Sequence, residues 1–307
     1  MINIYYRSVK EAKVSIIDNF RHSSWIDVCD PAENEIEKII ELFGIDKSLL
    51  SDALDQFEVP RLEMENGITY VYTRVPEKVN NEIITMPLLI AIGKDFILTL
   101  SKEKFNFFED FINGKKTVYT TQKIQFFLKL FFAVNEKYNF FLHDINKRLR
   151  TIKIRLEKID TKDIVQFVEF ERTLNDFLSA LVPTNSVLQK LLIGSHIELY
   201  SKDKDLIEDL FLGNGQLIEM SKSTLKNVIN IRDTYSNIMT HNLNRTMRIL
   251  TSLTILLTIP TMIFSFFGMN VNLPYSSHQF SYLAVVCFTF LISLILIILF
   301  IKNRWLR

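Results

Sequence analysis

The sequence predicts an α/β domain followed by long helices and a two-helix membrane hairpin, with most of the mass outside the bilayer. Three observations carry this. From Ile249 to Ile301 there is no Asp, Glu, Lys or Arg, although charged residues make up 23 % of the 307-residue chain. Before about residue 115, short β-rich runs alternate with turn signals. Between Gly114 and Pro183 there is neither Gly nor Pro. The net charge of +1 therefore averages two unlike regions, divided near Arg248.

Within the first 115 residues, "SWIDVCD", "ITYVYTRV", "EIITMPLLIAIG" and "DFILTL" read as strands bounded by turns such as Asn66-Gly67 and Gly93-Lys94-Asp95. "AENEIEKIIELFG" has helical spacing and closes at Gly44. From Phe127 through Leu130, Val134, Phe141, Ile145, Leu149, Ile152, Leu156 and Ile159, apolar residues recur at steps near three and four, the pattern of long helices. A further helix starts near Lys204 and meets no Pro before Pro260. It is expected to run into the membrane over ~95 Å at ~1.5 Å per residue. Gly213-Asn214-Gly215 is its weak point, since each Gly costs ~1 kcal/mol against Ala.

Ile249–Phe267 and Phe280–Ile301 each approach the ~20 apolar residues that cross a bilayer. Arg245 and Arg248 precede the first span, and Lys302, Arg304 and Arg307 follow the second, while the connecting loop offers only His278. The positive-inside rule therefore places both termini in the cytoplasm and the loop 268–279 outside. The N-terminus "MINIYYRSVK" lacks the apolar core of a signal peptide. Cys29 and Cys287 fall on opposite sides of this division, so neither a disulfide nor a Cys metal cluster is expected.

In the first span Thr251, Thr254, Thr258, Thr261 and Ser265 follow at steps of three, four, three and four, one stripe of hydroxyls that extends back to Met247 and Asn244. The second span, with Ser281, Thr289 and Ser293, has no such line. Hydroxyls can bond their own helix carbonyls and allow close packing, but a line over four turns also suits a water-filled channel. Two helices cannot enclose a channel, so several copies would assemble with first spans inside. The C-terminal end of the first span would then face outward, its carbonyls favouring a cation. Asn270 amides there would meet the hydration shell of Mg²⁺, which dehydrates reluctantly, and Gly268 would let the backbone turn at the helix end.

Several functions are not supported. No Walker A loop or GxGxxG is present, and His22, His143, His196, His241 and His278 show no HxxH or HxxxH spacing. No nucleophile motif or clustered acid and base suggests an enzyme, and no nucleic-acid partner is indicated. A membrane-anchored cytoplasmic sensor or scaffold is the alternative from another class, although an anchor has no need of a polar face.

The residues resemble the CorA family of magnesium channels, whose signature Gly-Met-Asn stands here as Gly268, Met269 and Asn270. "SWIDVCD", "ELFGIDKSLLSDALDQFEVPRLEMENGITYVYTR", "IAIGKDFILTLSKE" and "KNRWL" look like family segments in the right order. The resemblance implies a homopentamer in the cell (inner or plasma) membrane. It also implies a cytoplasmic αβα domain (1–115), long helices including the stalk (116–248), spans 249–267 and 280–301, and a basic tail (302–307). Asn270 would be the outer selectivity filter, shaped by Gly268 and Met269. Asn244, Met247, Leu250, Thr254, Thr258, Thr261 and Ser265 fall at pore-lining spacings beside Thr251, with Met247 and Leu250 in a hydrophobic constriction. Thr258 is more polar than the Met of a well-known member, so a wetter gate is expected.

The resemblance further implies that cytoplasmic Mg²⁺ holds the pore shut by bridging subunits through acids. Asp52 and Asp209 resemble that pair, and Asp233 another acidic stalk position. Mg²⁺ would thus be both transported and regulatory. Ser51 stands where an acid is often found, which implies weaker binding. The outer loop "VNLPYSSHQF" lacks the acids of many members, which leaves selectivity among Mg²⁺, Co²⁺, Ni²⁺ and Zn²⁺ open, whereas Met269 favours magnesium over the zinc branch.

Overall fold

The structure, a computed structural model, describes residues 1–153, 161–194, 197, 199–269, 280–303 and 305, the side chains of 153, 161, 162 and 281 excepted. Asn270 and the loop to residue 279 lie outside the described residues, as do Leu156 and Ile159 of the helical pattern. The chain separates into two compact units, Met1–Ile231 and Arg232–Arg307.

The first unit is built on a seven-stranded sheet. Its strands are β1 (Ile2–Tyr6), β2 (Ser15–Ile16), β3 (Ser24–Cys29), β4 (Leu62–Glu65), β5 (Ile68–Val79), β6 (Glu82–Ile92) and β7 (Phe96–Ser101), in the order β2-β1-β3-β7-β6-β5-β4. β3 and β7 pair in parallel, and the other neighbours are antiparallel. Two hairpins turn on residue pairs with positive φ, Asn66-Gly67 (52° and 76°) and Asn80-Asn81 (49° and 73°). Only Gly, Asn and Asp adopt that conformation readily, and it matches the right-handed twist of the strands.

Side chains alternate across the sheet with period two. Ile26, Tyr70, Tyr72, Leu89, Ala91 and Leu98 point to one face, where α1 (Glu33–Phe43) and α2 (Lys47–Ala53) contribute Ile39, Leu49, Leu50 and Ala53. Trp25, Val71, Val75, Leu88, Ile90 and Ile97 point to the other. They share one core with α3 (Phe107–Ile112), α4 (Lys123–Lys153), α5 (Thr161–Leu192) and, from α6 (Ser201–Phe267), Ile207, Leu210, Leu217, Ile218 and Val228. The result is a three-layer α/β/α domain. α1 ends at Gly44, whose φ of 66° fits a left-handed cap.

Gly213-Asn214-Gly215 does not break α6, which is continuous from Ser201 to Phe267. Asn214 is fully buried and donates to the Leu181 carbonyl (2.9 Å) and Asn185 Oδ1 (3.1 Å) on α5, so packing offsets the poor helix propensity of its neighbours. The second unit holds the rest of α6 and α7 (Ser281–Lys302). Both helices are long and apolar enough to cross a membrane.

One buried acid lies at the centre of the sheet. Asp27 on β3 accepts from Thr99 Oγ1 on β7 (2.8 Å), which itself accepts from Trp25 Nε1 (2.9 Å). Burial pushes its carboxyl up to about 6, against the Thr99 hydrogen bond and Lys104, which act to lower it. Between pH ~4 and ~6 the folded state holds a proton that the unfolded chain has lost, so this group's contribution to stability falls by about 3 kcal/mol as pH rises through that window. Asp27→Asn should remove the fall. Denaturant unfolding of wild type and variant at pH 4, 5 and 7 measures it, and curves that stay parallel would contradict the assignment.

Candidate functional site

The hydroxyl stripe lies on the membrane portion of α6. Helix formation there follows from an uninterrupted apolar run without Gly between Gly215 and Gly268. Pro260 sits inside the helix and withholds an N–H from the Leu256 carbonyl, while Thr261 Oγ1 donates to the adjacent Leu257 carbonyl (2.8 Å). Thr251, Thr254, Thr258, Thr261 and Ser265 are all exposed, as are Asn244, Met247 and Leu250.

The opposite side of the same helix is covered. Ser252 is fully buried, and Ile255, Leu256, Ile259, Pro260 and Ile263 are half-buried. At ~100° per residue, the centres of the two faces are about 150° apart. α7 shows one matching line, Val285, Thr289, Ile292, Leu296 and Phe300, buried or half-buried at steps of three and four. These lines have the spacing of the seam of a helical hairpin. Ser252 and Thr289 sit on it, each hydroxyl donating to the carbonyl four residues back at 2.8 Å. The sequence reading did not single out Ser252, whose one signal is its step outside the hydroxyl line.

The stripe's chemistry is set by where its protons go. Thr254 donates to Leu250 O (2.9 Å), Thr258 to Thr254 O (2.8 Å) and Thr261 to Leu257 O (2.8 Å). With those protons committed to the helix, the hydroxyl oxygens present lone pairs to the exposed side. Such a surface accepts hydrogen bonds from water, and water in a cation's hydration shell points its protons outward. The face therefore suits a hydrated cation better than an anion.

At the end of α6, Gly268 N–H donates to Phe264 O (2.9 Å) and Met269 N–H reaches Phe266 O (3.4 Å). Gly268 does not adopt the positive φ expected of a sharp turn. It tightens the last turn, and a Cβ there would lie 3.3 Å from the Phe264 carbonyl oxygen. Met269 is 54 % exposed. At the other end of the hairpin, Trp305 stacks on Phe300 at 5.6 Å beside Lys302, residues that favour a membrane interface.

The acidic candidates fall on separate elements. Asp52 is in the last turn of α2, and its Oδ2 accepts from Arg61 Nη2 at 2.7 Å. Asp209 is exposed on α6. Asp233 is exposed further along it, with a carboxylate oxygen 3.6 Å from Arg232 Nε. Among the described residues no three His, Cys, Asp or Glu side chains gather as a metal cage. The Arg61 partner of Asp52 escaped the sequence reading, because only the fold brings it across the loop.

A three-layer α/β domain whose last helix runs on as the first of two apolar spans defines a two-span membrane protein with a large extramembrane domain. The chain belongs to the CorA-like Mg²⁺ transporter family, whose model matches residues 21–302. This is a family of divalent-cation transport proteins and not of enzymes. The chain is 26 % identical over 290 residues to the cobalt/magnesium transport protein CorA of Methanocaldococcus jannaschii, covering 92 % of this chain and 90 % of that protein. The complete structure of the CorA magnesium transporter from that organism superposes with a TM-score of 0.88 at 22 % identity, over 99 % of this chain and 98 % of the other. The ZntB cytoplasmic domain from Vibrio parahaemolyticus shares the fold at a TM-score of 0.64 and 10 % identity, over 78 % of this chain and 98 % of that domain.

Proposed function

We propose that the chain is one subunit of a homopentameric channel that carries Mg²⁺ into the cell down the membrane potential and closes when cytoplasmic Mg²⁺ is high. The observation that carries this reading is the uncovered acceptor face of α6. The second span occupies the opposite side, so the two spans found among the described residues leave a line of hydroxyl oxygens for other copies to enclose. Asn244, Met247, Leu250, Thr251, Thr254, Thr258, Thr261 and Ser265 would line the path, with Gly268, Met269 and Asn270 at its outer mouth. The related protein's name couples cobalt with magnesium, so Co²⁺ is the nearest alternative cargo. Ni²⁺ and Zn²⁺ follow.

Orientation and domain division follow the charges. Both termini lie in the cytoplasm, with the α/β domain of residues 1–115, the helices of 116–248 and the tail 302–307 on that side, and the loop 268–279 outside. Asp52 and Asp209 would form the regulatory site between neighbouring subunits, and Asp233 would add negative charge toward the inner mouth.

Each positive charge moved inward gains ~2.3 kcal/mol per 100 mV, so a dication needs no nucleotide. Purified protein in liposomes should take up Mg²⁺ when an inside-negative K⁺ diffusion potential is imposed, and uptake should fall several-fold when the potential is collapsed. No uptake of Mg²⁺, Co²⁺, Ni²⁺ or Zn²⁺ under any potential would favour the anchored sensor.

A further inference from the structure

We infer that Arg61 is a tethered counter-cation for Asp52, which cytoplasmic Mg²⁺ must displace or outcompete to bind there. The inference rests on the reading of Asp52 as a regulatory ligand. Arg61 follows α2 by a loop and turns its guanidinium back between three carboxylates. Nη2 donates to Asp52 Oδ2 at 2.7 Å, Nε donates to Glu63 Oε1 at 2.5 Å, and Nη1 pairs with Glu58. The guanidinium carbon also lies 3.9 Å from the centre of the Tyr72 ring.

This arrangement differs from an ordinary surface ion pair in what happens when Asp52 lets go. Glu58, Glu63 and the Tyr72 ring still hold the guanidinium, so Arg61 need not move into water or lose its countercharge. Asp52 is also the most open of the three acids, its side chain 46 % exposed against 40 % for Glu63 and 15 % for Glu58. A cation arriving from solvent can therefore reach Asp52 directly, whereas Glu58 is largely covered. Three carboxylates against one guanidinium leave a charge of −2, which attracts a dication, while the Arg61–Asp52 bond occupies one oxygen that the dication would use. Arginine stays charged at any physiological pH, so the competition does not switch off. The consequence is a higher cytoplasmic Mg²⁺ threshold for closure than Asp52 alone would set.

The test is the Mg²⁺ concentration on the cytoplasmic side that half-closes the full-length channel in liposomes, together with Mg²⁺ protection of the same protein from protease. Arg61→Gln should lower both midpoints by about five-fold, the scale of an exposed ion pair. Arg61→Lys keeps a cation over Tyr72 and should stay within about two-fold of wild type, which separates loss of charge from loss of packing. In an Asp52→Asn background Arg61→Gln should have no effect. An unchanged or raised midpoint in Arg61→Gln, with Asp52→Asn still losing Mg²⁺ closure, overturns the inference. A wild-type midpoint in Asp52→Asn itself instead overturns the regulatory reading on which the inference stands.

Discussion

Replacing Thr254 and Thr258 together by valine is expected to cut potential-driven Mg²⁺ influx about ten-fold or more, an added barrier of about 1.4 kcal/mol. Valine keeps the branched outline of threonine but removes the oxygen, and both positions are exposed, so packing within the chain hardly changes while the acceptor line loses two members. In a channel the hydrated ion then passes two apolar rings where it met hydroxyls, and water leaves such constrictions readily. If the hydroxyls serve only to bond the helix's own carbonyls, influx stays at the wild-type level. Leu291→Ala provides the control. Leu291 is exposed on the side of α7 away from its covered line, the side that would face lipid in the proposed assembly, and its loss should leave influx within about two-fold. Equal losses in both variants would point to general damage of the membrane region.

Much of this architecture is legible in the sequence because its signals are large. A run without charge over two spans is unambiguous, and β3, β5, β6 and β7 announce themselves by β-branched and aromatic residues between turn pairs. What escaped is what depends on partners far along the chain. β1, β2 and β4 lie at or near the sheet's margins and are short; pairing of β1 with β3, of β2 with β1 and of β4 with β5 defines them rather than composition. α2 and α3, of seven and six residues, hold fewer than two turns, too few to show a period. β5 runs past the strand read from the sequence, which stops at Val75, because Pro76 lies within its paired run with β6, where proline ordinarily argues against a strand.

The candidate site divides in the same way. The stripe was readable because it is a period within one helix. That its far side is the covered one was not, since this depends on how α6 and α7 pack. Gly213-Asn214-Gly215 reads as a break because propensity is local, while the bonds of Asn214 to Leu181 and Asn185 are not. Gly268 reads as a left-handed turn, but the helix closes through ordinary backbone bonds at Phe264 and Ser265. Asp52 could be marked by resemblance, whereas its Arg61 partner needed the fold.

The second large effect is expected at Asn270. Its neighbours Gly268 and Met269 follow the end of α6 that is remote from Arg245 and Arg248, so Asn270 comes just after the last free carbonyls of the span. A ring of neutral amide oxygens accepts from the waters of Mg²⁺ and releases the ion again; carboxylates would bind it more tightly, and alanine offers no acceptor. The outer loop carries no acid that could stand in for the lost amide. Asn270→Ala should therefore bring influx close to background while assembly and stability remain those of the wild type.

The decisive measurement is Mg²⁺ influx into liposomes at a fixed inside-negative potential, compared between wild type and Asn270→Ala at equal protein-to-lipid ratio. Influx is expected to be robust in the wild type and nearly absent in the variant. Equal influx in both would contradict the filter at Gly268-Met269-Asn270, and silence in both toward Mg²⁺, Co²⁺, Ni²⁺ and Zn²⁺ would contradict the channel itself.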